Sequence, residues 1–139
     1  MRKGLTPDEL GDLLELPHLA VLATHRRDGT VLLSPVWHEW RDNGFNVVTG
    51  SRDVKGRHLR RDPRASIVVC EEGLPYRGLE LRASARLSMP EDRSILRRIA
   101  TRYLGPGAGE RYAETAGDDL LIRLEPGELR AWDFADDFA

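Results

Sequence analysis

The chain has 139 residues, of which 40% are hydrophobic and 32% charged, and its formal net charge is −2 at pH 7. This size fits one domain over residues 1–139, and no apolar run approaches the roughly 20 residues that cross a bilayer, so we expect no membrane partner. The N-terminal ten residues lack the apolar core of a signal peptide, which favours a cytoplasmic location. The acidic balance argues against nucleic acid as a partner. The single cysteine, Cys70, excludes an internal disulfide, and its apolar neighbours predict a buried thiol.

The first predicted element is a helix. Thr6 is suited to cap it, Pro7 is suited to its first position, and Glu9 completes a capping box. The helix is predicted to run to about Leu16, because Pro17 follows and ends it.

Strands follow, and two of them are joined by the hairpin signal Asp28-Gly29. Pro35 within the second strand indicates an edge or a bulge. Alternation of apolar and polar residues is clearest in the fifth strand. The predicted strands are Leu19–Arg26, Thr30–Trp40, Phe45–Gly50, Ala65–Cys70, Pro75–Leu87, Leu120–Leu124 and Glu128–Phe134.

Three further helices are predicted between the strands. A short helix occupies the segment before Asp62-Pro63, a longer one covers Glu91–Leu104, and a third covers Gly109–Ala116. Gly107-Ala108-Gly109 is interpreted as a break between elements. The whole pattern favours a mainly β fold with peripheral helices, namely a small antiparallel barrel of about six strands. Since such a barrel has little interior space, a sizeable cofactor would lie outside it or between two copies.

The segment Ser51–Arg64 concentrates positive charge. It holds six basic and two acidic residues, a local balance of +4, so the rest of the chain carries −2 − 4 = −6. Cations where a strand ends and a helix begins suit a phosphate or another multiply charged anion. The alternative is a solvated helix face with local ion pairs, for example between Asp53 and Arg57.

Other chemistry is weakly indicated. The four histidines have no metal-ligand spacing, and His38 and Glu39 would point to opposite faces of a strand, so we predict no metal site. Trp37 and Trp40 are predicted to share a strand and to face opposite ways. One of them can pack in the core while the other faces a ligand or a partner subunit; the alternative, favoured for each tryptophan taken alone, is that both are packing residues.

The order of these segments resembles a known family. It runs through LAVLAT, a DG hairpin, LLSPVW, a strand ending in VTG, K-x-R-x-L-x-x-D-P-R, ASIVV and PYRGLELRASARL. This order is similar to the flavin/deazaflavin oxidoreductase superfamily, also described as pyridoxamine 5′-phosphate oxidase-like, FMN-binding split β-barrels. The likeness covers Glu15–Leu87 well and the C-terminal third loosely. The short chain and the basic motif most resemble the branch that binds coenzyme F-420, an 8-hydroxy-5-deazaflavin.

The resemblance implies a homodimer with cofactor sites at the subunit interface. It would place the cofactor ring against the strand 33–37 and the phosphate on the basic segment, with a third segment approaching from the other subunit. His58 departs from the asparagine more usual in the family, and Gly56 from a bulkier residue. The implied cofactor-binding residues are Ser34, Pro35, Val36, Thr49, Gly50, Ser51, Arg52, Lys55, Arg57, Arg60, Pro75, Tyr76 and Arg77.

The function implied is reduction of a small unsaturated or quinone-like substrate with F-420, or with FMN as the alternative cofactor. Such an enzyme needs no dedicated acid/base constellation, because the cofactor carries the hydride chemistry. No catalytic residue is assigned, although His38, His58 and Tyr76 are candidates for a general acid. A non-catalytic protein that binds a flavin, deazaflavin or haem is the other class left open.

Overall fold

A computed structural model describes all residues, 1–139, as ten strands, three α-helices and two short 3-10 helices. The 3-10 helices are Pro7–Leu10 and Ala135–Asp137, and the α-helices are α1 (Val54–Arg61), α2 (Ser94–Leu104) and α3 (Pro106–Thr115). No helix is long and apolar enough to cross a membrane. The strands are β1 (Arg2–Lys3), β2 (Ala20–His25), β3 (Val31–Val36), β4 (Glu39–Trp40), β5 (Phe45–Gly50), β6 (Arg64–Cys70), β7 (Gly78–Ser84), β8 (Arg86–Ser88), β9 (Asp119–Leu124) and β10 (Glu128–Asp133).

The larger sheet has six antiparallel strands in the order β1-β10-β7-β6-β2-β3. Period-2 alternation gives it one buried face, on which Leu22, Ile67 and Leu81 lie side by side across neighbouring strands. Strand β3 pairs only with β2, so it forms one edge, and Pro35 lies in it as predicted.

The smaller sheet has four antiparallel strands in the order β4-β5-β9-β8, and it shares its core with the larger sheet through Phe45 and Ile122. The chain crosses between the sheets at Trp37–His38 and at Ala85, which divide two long predicted strands into four. The hydrogen-bonded ladders therefore form two open sheets and not one closed six-stranded barrel. Ala85 is held at its corner by a hydrogen bond from its N–H to the carbonyl of Pro63 (2.7 Å).

The N-terminal helix is shorter than predicted. The capping box is present, since the Thr6 N–H donates to Glu9 Oε1 (3.1 Å), but the helix ends at Leu10. Gly11 has φ +61°, a left-handed conformation that stops a helix, and the chain continues as turns. Leu10 and Leu13 are nevertheless completely buried in the core that the two sheets share.

Helices α2 and α3 pack closely through a glycine. A Cβ on Gly109 would lie 2.6 Å from the backbone N and Cα of Thr101, so only glycine allows this approach. The prediction that residues 107–109 break the helices was wrong, because the break is at Gly105 and α3 starts with Pro106 at its first position.

The prediction that Cys70 is buried was also wrong. Along β6 the inward positions are Ala65, Ile67 and Val69, so the alternation turns Cys70 outward, where it is exposed.

Candidate functional site

The site begins where β5 ends and α1 starts. The carboxylate of Asp53 caps α1 by accepting from the Lys55 N–H (3.3 Å), and it also accepts from the Thr49 hydroxyl (3.1 Å) and from Lys55 Nζ (3.2 Å). Partial burial raises the pKa of Asp53. The hydrogen bonds and charge of Lys55, together with the Thr49 hydroxyl, lower this pKa by more, so the net shift is downward. The ion pair predicted between Asp53 and Arg57 is replaced by one with Lys55.

The remaining predicted arginines of this segment differ in their surroundings. Arg60 donates to the carbonyl of Ser51 (3.1 Å) and so closes the turn after Gly50, whereas Arg52 is exposed and makes no bond. Lys55 and Arg57 are two residues apart in a helix, which separates their side chains by roughly 200° around its axis. They therefore do not converge on one phosphate.

Arg57 lines a cleft of about 530 Å³ between the β2–β3 hairpin and α1. Its other walls include His58, whose Nδ1 lies 2.9 Å from the Thr24 hydroxyl in the buried contact between α1 and β2. The cleft is lined by Arg26, Arg27, Asp28, Val54, Arg57, His58 and Arg61. Sequence reasoning missed the two hairpin arginines. No local signal in the sequence indicated them, because β2 and β6 become neighbours only in the folded sheet.

Glycine at position 56 has a packing reason. A Cβ there would lie 2.9 Å from Leu120 Cδ2, so the helix lies close against β9. The departure from a bulkier family residue at this position therefore has a packing role, because glycine lets α1 approach the smaller sheet.

The predicted ring-binding segment lies on the open edge of the larger sheet. Ser34 and Val36 face inward and Pro35 is exposed on the outer face of β3. Because β3 has no strand on its other side, its outward backbone groups have no strand partner within the chain and are available to a ligand or a second subunit, except the Val31 carbonyl, which accepts from Arg26.

A cavity of about 450 Å³ lies against the predicted ligand residues at the end of β5. Thr49 and Gly50 form part of its wall, and Val48, Leu96 and Tyr112 add apolar and aromatic surface from β5, α2 and α3. The arrangement provides a space for a small organic molecule beside the β5–α1 junction.

Aromatic side chains gather at the β3–β4 corner. Trp37 stacks on Tyr103 with ring centroids 5.0 Å apart, and Tyr112 lies against it at 5.3 Å. Trp40 packs against Phe45 in the core (4.8 Å). The two tryptophans do not share a strand, since the corner lies between them. Both are half-buried, and contact of either one with a ligand or a partner subunit stays a prediction.

His38 is completely buried at this corner. The Tyr103 hydroxyl donates to the His18 carbonyl (2.8 Å), so His38 Nδ1 must be the donor in its 3.0 Å contact with that hydroxyl. His38 Nε2 then has a free lone pair and no partner. Burial, with smaller contributions from Arg102 and His18, lowers the pKa of His38 to about 3. The residue is neutral at physiological pH, which argues against it as a general acid.

Pro75, Tyr76 and Arg77 lie apart from the basic segment. Strand β7 pairs with β6 from Gly78↔Cys70 to Ser84↔Arg64, so they precede the end of β7 that is roughly 20 Å from the α1 end. The Arg77 guanidinium pairs with Glu71 (2.8 Å) and with Asp12 (2.8 Å), while the Tyr76 ring packs edge-on against Phe138. A single chain therefore does not bring these three residues to the basic segment.

The comparisons with known proteins agree with this fold. The family model described as pyridoxamine 5′-phosphate oxidase matches residues 6–133. None of the curated proteins compared with the chain matches it.

Solved structures share the fold at low sequence identity. A conserved hypothetical protein, Rv2991 of Mycobacterium tuberculosis, is 23% identical over 97% of this chain and 89% of its own, with a TM-score of 0.79. An F420 reductase is 24% identical over 89% of this chain and 98% of its own (TM-score 0.71). The heme storage protein HutZ of Vibrio cholerae is 19% identical over 88% of this chain and 92% of its own (TM-score 0.67). With the family match over nearly the whole length, the chain belongs to the pyridoxamine 5′-phosphate oxidase family.

Proposed function

We propose that the chain is an oxidoreductase that binds coenzyme F-420 and reduces a small unsaturated or quinone-like acceptor. The observation that carries this proposal is the combination of an open neutral strand edge, β3, with a basic segment that follows β5. An edge of unpaired backbone groups suits the polar rim of a flat ring, and the basic segment suits its phosphate.

The residues fit such a cofactor in their chemistry. Backbone groups around Ser34–Val36 would hold the ring, Thr49–Ser51 would line its side chain, and arginines of α1 would neutralise the phosphate. When bound, the reduced cofactor supplies a hydride to the acceptor. The acceptor would bind in the cavity beside Thr49 and Gly50, where Leu96 and Tyr112 would exclude water from one side.

We also propose that two chains form a homodimer and that each chain is a split barrel built on the core shared by the two sheets. The two chains would contact each other through the outer face of the larger sheet at β3. That face exposes Leu19 (57% exposed), Val31 (42%) and Leu33 (65%) around Pro35. Apolar side chains that cluster on one sheet face are typical of an interface. A partner chain would also provide Pro75–Arg77 from outside, which agrees with their distance from α1 within one chain.

The dimer is tested by the substitution Leu33→Arg, with Met89→Arg as the matched control because Met89 is 61% exposed and lies outside this face. Light scattering after size-exclusion chromatography should give a dimer for the wild type and for the control, and a monomer for Leu33→Arg. A monomeric wild type would refute the dimer.

Activity is tested by following the absorbance of reduced F-420 with a quinone such as menadione as acceptor. Oxidation that depends on the protein supports the proposal, and binding without oxidation for a panel of quinones and enones would contradict the enzymatic part. A second candidate is an FMN-dependent oxidoreductase, which the matched family model favours. The third is a non-catalytic flavin or haem binder, which an absorption spectrum of the purified protein would reveal.

A further inference from the structure

The cleft between the β2–β3 hairpin and α1 collects four arginines from two elements. Arg57 and Arg61 are four residues apart on α1 and so share one face of the helix. Arg26 and Arg27 come from the hairpin on the opposite wall. Of these four arginines, the family resemblance had implied only Arg57 as a cofactor-binding residue. Their grouping is therefore a product of the tertiary structure.

Four arginines and one acid line the cleft, so it keeps a net positive charge within the chain. The side chains of Arg27 and Arg57 make no hydrogen bond or ion pair, and the one bond of Arg57 outside the regular ladder is that of its backbone N–H to the Asp53 carbonyl. Arg26 and Arg61 are held in place by backbone carbonyls, those of Val31 and His25, and these bonds leave their charges unpaired.

The one acid in the wall is Asp28, which contributes one negative charge beside Arg26. Its carboxylate accepts from the Thr30 N–H (3.0 Å) and from the Thr30 hydroxyl (2.6 Å), and these bonds lower its pKa. Four cations facing one cleft with a single acid repel each other, and a bound anion would relieve that repulsion.

His58 forms part of the cleft wall. Its Nδ1 contacts the Thr24 hydroxyl, and its Nε2 has no hydrogen-bond partner in the chain. Burial, followed by the charges of Arg61, Arg26 and Arg57, lowers the pKa of His58. An anion among the arginines reverses the sign of the local field, so anion binding and protonation of His58 favour each other.

We propose that this cleft is a binding site for a multiply charged phosphoryl anion, held by the four arginines, with protonated His58 as a fifth donor. Planar guanidinium groups bind phosphate oxygens through paired hydrogen bonds, and two opposing walls allow more than one oxyanion centre to be held. The anion is either the phosphate-bearing part of a cofactor or a free phosphorylated small molecule. The proposal does not require the F-420 function, because it concerns the anion alone.

The first experiment titrates the protein with pyrophosphate by calorimetry at pH 7.5 and low salt. The double variant Arg27→Ala/Arg57→Ala should bind about tenfold or more weakly, because it removes the two cations whose side chains make no bond within the chain. The control is Arg2→Ala/Arg111→Ala, which changes the net charge equally at two exposed arginines whose side chains make no hydrogen bond or ion pair in the chain. Equal pyrophosphate affinity in wild type and cleft variant, or no binding by the wild type, would overturn the proposal.

The second experiment tests His58 with sulfate, whose charge is constant between pH 5 and 8. The NMR titration of the His58 ring should move to higher pH when sulfate is added, and sulfate should bind more tightly at pH 6 than at pH 7.5. His58→Asn keeps a side chain that can bond Thr24 and should lose that dependence. An unchanged His58 titration at saturating sulfate would refute its role as donor.

The third experiment identifies the source of the anion by comparing FMN with riboflavin, which share a ring and differ by the phosphate. If the cleft variant weakens binding of FMN and not of riboflavin, the cleft holds the phosphate of a cofactor. If it weakens pyrophosphate binding alone, the ligand is a free phosphorylated compound. Both results support the anion site. Because the second result does so without any cofactor, the site can be confirmed even if the proposed function is wrong.

Discussion

Mild acid is expected to destabilise the fold through His38. Its imidazole is completely buried, with Nδ1 bonded to the Tyr103 hydroxyl and Nε2 without a partner, and its pKa is lowered to about 3. In the unfolded chain the same ring titrates near 6.5. Between these values the unfolded state binds the proton and the folded state does not, so stability present above pH 6.5 is lost as the pH falls.

The size of the effect follows from the two pKa values. At pH 5 the unfolded state gains RT ln(1 + 10^1.5), about 2 kcal/mol, while at pH 7.5 it gains almost nothing. Carboxylates with lowered pKa values contribute little in this window, because their unfolded forms titrate near 4. His58 acts in the same direction as His38, since its pKa is also lowered.

The assay is urea unfolding of the wild type and of His38→Gln at pH 7.5 and at pH 5.0, at one protein concentration so that any dimer contributes equally. The wild type should lose about 2 kcal/mol more than the variant between the two pH values. His58→Asn, which leaves His38 in place, should retain that part of the loss. Equal losses in the wild type and in His38→Gln would refute the reasoning.

Two other predictions concern packing and a buried charge. Gly109→Ala should lower the stability by about 2 kcal/mol or more, because its Cβ would meet the backbone of Thr101, whereas Gly107→Ala on the same helix should be neutral or slightly stabilising in a thermal melt. Arg98→Met should cost about 3 kcal/mol by leaving the buried carboxylate of Glu39 without its ion-pair partner at 2.8 Å. The double variant Arg98→Met/Glu39→Gln should recover part of that loss in urea unfolding, and no recovery would contradict the pairing.

Much of the fold could be predicted because each buried strand follows period-2 alternation. Phe45–Gly50 is a strand with the predicted bounds, and β6 and β9 differ by one residue at their starts. The corners at Trp37–His38 and Ala85 could not be predicted, because the local alternation continues through them and only the position of the second sheet requires the bend. Cys70 was misjudged for a related reason: an apolar run does not indicate which of its members face outward.

The candidate site was predictable only in part. The basic composition of α1 is visible in the sequence, but the opposite directions of Lys55 and Arg57 follow from helical geometry. Arg26 and Arg27 reach the same cleft as α1 only because β2 and β6 are neighbours, which is a tertiary fact. Similarly, no local pattern indicates that Arg77 pairs with Glu71 and Asp12.

The most direct test of the proposed function is a parallel titration of the cofactor-free protein with F-420 and with FMN, followed by tryptophan fluorescence. Quenching is expected because Trp37 directly follows β3, the strand that would hold the ring. If the proposed function is right, the quenching is saturable and shows a clear preference for F-420. A clear preference for FMN, or binding of neither compound, would contradict it.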